Sequence, residues 1–204
     1  VCQAFLGTPK IHREKDPAAD LSTMFTQVVS TVFDLMIEYE HLWKYISQSL
    51  PTSIYGFGLG ASPHVPEIQV STDRLFKNFK NGLEQHKDLW EKVLPLPVRR
   101  EVEKLEAVQE ADRFDYHSDL WARILFSFAV AYKDHEGERL RIMEALIPFY
   151  QSRVLCFVNR TREMGTREAE EYLEEINRVF EAEKYYLLQR WDESENSRAQ
   201  RFFL

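Results

Sequence analysis

Outside residues 51–70, apolar side chains recur every three or four positions from Leu21 to Trp191. That spacing constrains the chain more than any other feature, because it matches the 3.6-residue period of a helix and not the two-residue period of a strand. The clearest run is Leu21, Met24/Phe25, Val28, Val32, Leu35/Met36, Tyr39, Leu42/Trp43 and Ile46, which predicts one long amphipathic helix. Asp16-Pro17 supplies a capping acid before a proline at the first helical position, and Asp20-Leu21-Ser22 is a second candidate start. The helix is expected to stop near Leu50-Pro51.

Between them, Pro51, Gly56, Gly58, Gly60, Pro63 and Pro66 punctuate residues 51–70 and predict a loop. Further helices follow by the same period. Leu75/Phe76, Phe79, Leu83, Trp90 and Val93 mark one, and Pro97, Val98, Val102 and Leu105 a shorter one. Ser118 is the expected cap of a third, carried by Trp121, Ile124/Leu125, Phe128 and Tyr132. Leu140, Met143 and Ile147 continue into Tyr150, Val154 and Phe157/Val158, with Pro148 expected to kink or split that helix. Thr166 is the expected cap of a last helix, whose stripe is Tyr172/Leu173, Ile176, Val179/Phe180, Leu187 and Trp191. Glu183 falls on that stripe, so an arginine partner or a hydrogen bond is expected for it. Beyond Trp191 the sequence turns polar, and residues 193–204 are expected to fray as a tail.

The first six residues, VCQAFL, are an apolar run closed by Gly7, Thr8 and Pro9, which suits a buried strand. One strand alone is not stable in water. The remainder offers no evident sheet, so a partner domain is expected elsewhere, and Val1 inside an apolar stretch suits a piece of something longer. An uncovered strand edge or long-helix face also predicts self-association into a homo-oligomer. The fold class expected is therefore mainly α, a helical domain of about six or seven helices preceded by one short strand.

Charge narrows the function. The formal net charge is −7, with 26 Lys and Arg against 33 Asp and Glu, which disfavours wrapping nucleic acid. No apolar run approaches the roughly 20 residues of a membrane span. A cytoplasmic location is the default expectation. Cys2 and Cys156 lie far apart, outside metal or redox spacing, and read as buried thiols.

Gly56, Gly58 and Gly60 lack the strand-to-helix context and the spacing of a dinucleotide loop. His12 stands just past the strand, where ligand-binding residues of α/β sheets gather, between Lys10 and Arg13, whose charges favour the neutral, metal-binding imidazole. A plain loop histidine fits the same pattern. Arg153 and Arg160, seven apart on one helix face, form a cluster with Arg162 and Arg167 nearby that suits a phosphate or a sugar-acid carboxylate; equally, the cluster suits the neutralisation of Glu163, Glu168, Glu170 and Glu171.

Residues 1–36 resemble the end of the catalytic domain and the start of the helical region in glycosyltransferases of the glucosyl-phosphoglycerate synthase and mannosylglycerate synthase kind. The segments DLWARILFSFAVAY, LIPFYQSRVLCFVNRTREM and EAEKYYLLQRW resemble the helical C-terminal region of related transferases. The resemblance implies that residues 1–15 are the last strand and metal-ligand loop of a missing GT-A type α/β domain, and that 16–192 form its helical C-terminal domain. It implies transfer of a hexosyl unit from a nucleotide diphosphate sugar to a small hydroxy acceptor such as a glycerate-type acid. A divalent cation, Mg²⁺ or Mn²⁺, would be held by an upstream Asp-x-Asp and by His12, with Lys10, Arg13, Arg153 and Arg160 as candidate substrate contacts. No Asp-x-Asp stands at a strand end here, since Asp112 and Asp115 have the wrong spacing, so this segment alone is expected to be inactive and to hold no metal. The competing expectation is a non-catalytic helical interaction or scaffolding domain.

Overall fold

In the computed structural model, residues 3–4, 21–47, 54–55 and 70–202 are described. Among them the fold is mainly α, as the periodicity predicts. Seven helices of 11 to 23 residues, α1 (Leu21–Glu38), α3 (Thr72–Val93), α4 (Leu96–Glu106), α5 (Ser118–Asp134), α6 (Arg139–Thr161), α7 (Thr166–Ala182) and α8 (Lys184–Phe202), are joined by the one-turn α2 (Glu40–Trp43). The strands are two residues each: β1 (Gln3–Ala4) pairs in parallel with β2 (Ile54–Tyr55). The stretch 51–70, expected to be loop throughout, therefore supplies a short partner for the N-terminal strand from within the chain.

Helix α5 is central and touches α1, α3, α4, α6, α7 and α8, while α3 against α6 is the most extensive pairing. Their apolar faces meet in an aromatic cluster. Trp90 and Phe149 have ring centroids 4.0 Å apart, with Phe79, Phe114 and Phe128 around them. The indole N–H of Trp90 donates to the Ala145 carbonyl at 2.9 Å, so its one polar atom is satisfied inside the core.

Pro148 neither splits nor ends its helix: α6 runs unbroken from Arg139 to Thr161. Proline removes one helical donor, a loss that α6 can bear because Ala145, Leu146, Phe149 and Ser152 around it are all buried by neighbouring helices. The α3 residue facing it is Gly82. A Cβ built there would lie 2.4 Å from both Cβ and Cγ of Pro148.

Four boundaries differ from expectation. The long helix expected to reach Leu50 ends at Glu38 and resumes only as the single turn of α2, which ends at Trp43. Gly165, not Thr166, caps α7, with its N–H donating to Glu168 Oε2 at 2.8 Å. His117 occupies the cap of α5, and Ser118 is its first helical residue. The last helix is two, separated at Glu183, and the second continues through the polar residues to Phe202. The expectation for Glu183 holds, since Arg123 grips it with two parallel bonds of 2.8 Å from Nε and Nη2.

The largest departure concerns α1. Its core face is Phe25, Val29, Phe33, Met36 and Ile37, with Phe25 stacked on Tyr150 and Phe33 edge-on to Tyr132. Most of the stripe that announces the helix in sequence, Met24, Val28, Val32, Leu35, Tyr39, Leu42 and Ile46, instead faces outward and is exposed. At its far end, Trp43 packs edge-on to Trp191 at 5.1 Å, and Lys44 reaches Asp192 at 2.8 Å, which ties α2 to α8.

Candidate functional site

The segment Asp115-Tyr116-His117 leads into α5 and is fixed from below by α6. Asn159 donates to the carbonyls of Ala111 and Phe114 at 2.8 and 3.1 Å. Tyr116 is buried with its hydroxyl 3.1 Å from Ser152 Oγ, and burial holds its phenol protonated far above the usual range. Arg153 is only 7 % exposed and spreads its guanidinium across three elements. It donates to the Tyr116 carbonyl at 3.4 Å, Ser118 Oγ at 2.8 Å and Tyr172 Oη at 3.4 Å.

Above this floor lies an open cleft of about 220 Å³, lined by Asp115, His117, Asp119, Arg160, Tyr172 and Glu175 among others. The two arginines paired by the sequence thus meet at one place, though in different roles. Arg153 is buried beneath the cleft and orders its walls, while Arg160 is exposed and lines it. The neutralising alternative holds for Arg167, which pairs with Glu171 at 3.0 Å, while Glu168 caps its own helix. Among the described residues, neither Arg153 nor Arg160 has a carboxylate within ion-pair distance. The Arg153 guanidinium is thus held directly by neutral oxygens, with the carboxylates of Asp115, Asp119 and Glu175 lining the cleft over it. Carboxylates at the rim accept from hydroxyl groups, and Arg160 offers a planar fork to a carboxylate or phosphate.

Sequence reasoning places Tyr172 on a buried stripe and gives Asp119 and Glu175 no role; only the approach of α7 to α5 brings them together. His12, Lys10 and Arg13 lie outside the described residues, as does Cys2. Among the described residues, no group of three or more His, Cys, Asp or Glu side chains is arranged to hold a metal ion, and no helix is long and apolar enough to cross a membrane. A second cleft, of about 170 Å³, is lined by Lys92, His135, Arg141 and Arg190, but Arg141 and Arg190 already pair with Glu138 and Glu193 at 3.1 and 3.3 Å.

Cys156 lies buried on α6 close to Asp115, and burial, reinforced by that carboxylate, pushes its thiol up to about 12. Because the folded value is raised above the unfolded one, the neutral thiol's contribution to stability is full below the unfolded pKa of about 8.5 and is lost as pH rises towards 12. Cys156 should therefore resist iodoacetamide at pH 8 in the folded protein and react once urea unfolds it. Labelling followed by peptide mass mapping checks this, and rapid labelling of the native chain would contradict the burial.

No family model, curated protein or solved structure matches this chain.

Proposed function

We propose that this chain is the helical C-terminal part of a glycosyltransferase that moves a hexosyl unit from a nucleotide diphosphate sugar to a small hydroxy acid, and that the cleft before α5 holds the acceptor. The observation that carries this reading is the buried Arg153 guanidinium, without a carboxylate partner among the described residues, beneath a cleft lined by Arg160 and by hydroxyl-accepting carboxylates. A hydroxy acid has both halves of the matching chemistry: its carboxylate suits Arg160, and its hydroxyls suit Asp119 and Glu175. The donor and a divalent cation would be bound by the upstream α/β domain, the cation drawing charge from the departing diphosphate. This chain's part is to bind and orient the acceptor and to keep competing water from its place. Cytoplasmic location belongs to the same proposal.

Arg160→Gln in the complete protein should raise the acceptor KM by roughly 10- to 100-fold, the cost of losing one charge-assisted bond, while leaving the donor KM within about twofold. Steady-state kinetics against glycerate-type acids and their uncharged alcohol counterparts measures this. An equal effect on acid and alcohol, or none on either, would remove the cleft from acceptor binding.

A second reading, a helical interaction domain without chemistry, is favoured by one separate observation: the outward apolar stripe of α1.

A further inference from the structure

We propose that a second copy of this chain docks along the outer face of α1 and α2. Val28, Val32, Leu35, Tyr39 and Leu42 are spaced 4-3-4-3, the repeat of a two-helix seam, and each is 44 to 57 % exposed, with the exposed Ile46 following just past the end of α2. At about 100° per residue, this stripe is centred roughly 110° round the helix from the face that packs on α5 and α6, so it is left uncovered by the chain's own core. The bend at Tyr39 leaves the seam continuous, because the Tyr39 N–H still donates to the Leu35 carbonyl at 2.9 Å and the Trp43 N–H to the Tyr39 carbonyl at 3.2 Å.

A second copy suits this face better than an unlike partner on two counts. A 3-4 seam is self-complementary, since each knob fits the holes of an identical helix. Its rim also carries little net charge: Thr23, Gln27 and Thr31 are uncharged, and of its two acids, Asp34 and Glu38, the first is neutralised by Arg139 of the same chain at 3.3 Å, so two copies bring together no run of like charges. With Met24 one turn earlier, half-exposed side chains of this size offer roughly 600 Å² per copy and about 1,200 Å² for a pair, enough for a specific dimer. The same area left bare would stand at the upper end of the apolar patches that monomers carry. This inference does not depend on the acceptor site.

Sedimentation velocity of the chain from low to high micromolar concentration tests it. The native sequence should sediment as a dimer, and Leu35→Glu with Leu42→Glu should weaken association by at least about 100-fold, since two charges would enter an apolar seam. Leu140→Glu makes the same change at an exposed leucine away from the stripe and should leave the dimer intact. Circular dichroism confirms that each variant keeps its helices; should the double variant lose them, Val28→Lys repeats the test. A native monomer throughout, dissociation by Leu140→Glu as strong as by the stripe variants, or a dimer indifferent to them would each overturn the proposal.

Discussion

Replacing Gly82 by alanine should destabilise the fold by about 3 kcal/mol, the upper part of the range for forcing extra atoms into a packed interior. The new Cβ would lie 2.4 Å from two ring carbons of Pro148, and neither can move away as the tip of a flexible side chain would. Pro148 Cβ is held by a ring closed on the backbone of α6, and α6 is itself buried from Ile142 to Cys156 along its inner face. Relief would have to come from separating α3 and α6, which would loosen the stack of Phe79 and Trp90 on Phe149. A urea titration followed by tryptophan fluorescence measures the cost. A loss below about 1 kcal/mol would mean that the two helices do not cross closely at this point.

Trp191→Ala should cost about 4 kcal/mol, within the range for truncating a fully buried large aromatic. Trp191 is wholly buried and does three things at once. It packs edge-on to Trp43 at 5.1 Å, lies beneath the Lys133 ammonium at 4.3 Å and, through its carbonyl, accepts from that ammonium at 3.2 Å. Without the indole, the cavity would undercut α2 and α8 together, so helicity in both should fall before the α3–α6 core melts. Hydrogen exchange resolved by segment, with α2 and α8 losing protection first, is the expected signature. Trp191→Phe keeps most of the ring area and should cost much less, because it leaves a much smaller cavity. Equal losses from the two substitutions would show that the ring's volume is not what holds these helices.

The helices were legible because α3 and α4 each present one apolar stripe, and the apolar positions of the more deeply buried α5 and α6 still recur at helical spacing over lengths no strand would reach. Glu183 was legible for the opposite reason: an acid on an apolar stripe demands a partner, and Arg123 supplies it. At Pro148 the helix does not split, since the local cost of proline is visible in sequence while the packing that offsets it comes from α3, more than 50 positions away. Gly82 leaves no signal at all, because one glycine in a long helix looks the same whether or not another chain segment crosses it.

For the candidate site, the pairing of Arg153 with Arg160 follows from their helical spacing, but their division of labour does not. Burial separates them: α5 and α7 close over one guanidinium and leave the other at the cleft. The sequence by itself determined that the chain would be helical, where most helices lie and which residue types would be inside, because those follow from local periodicity and from the cost of leaving apolar surface in water. Tertiary structure alone decided which of α1's two apolar faces is buried. Phe25, Phe33 and Met36 fit against Tyr150 and Tyr132, while Val28, Leu35 and Leu42 point outward. Periodicity can mark an apolar face, but what covers that face depends on residues distant in the chain.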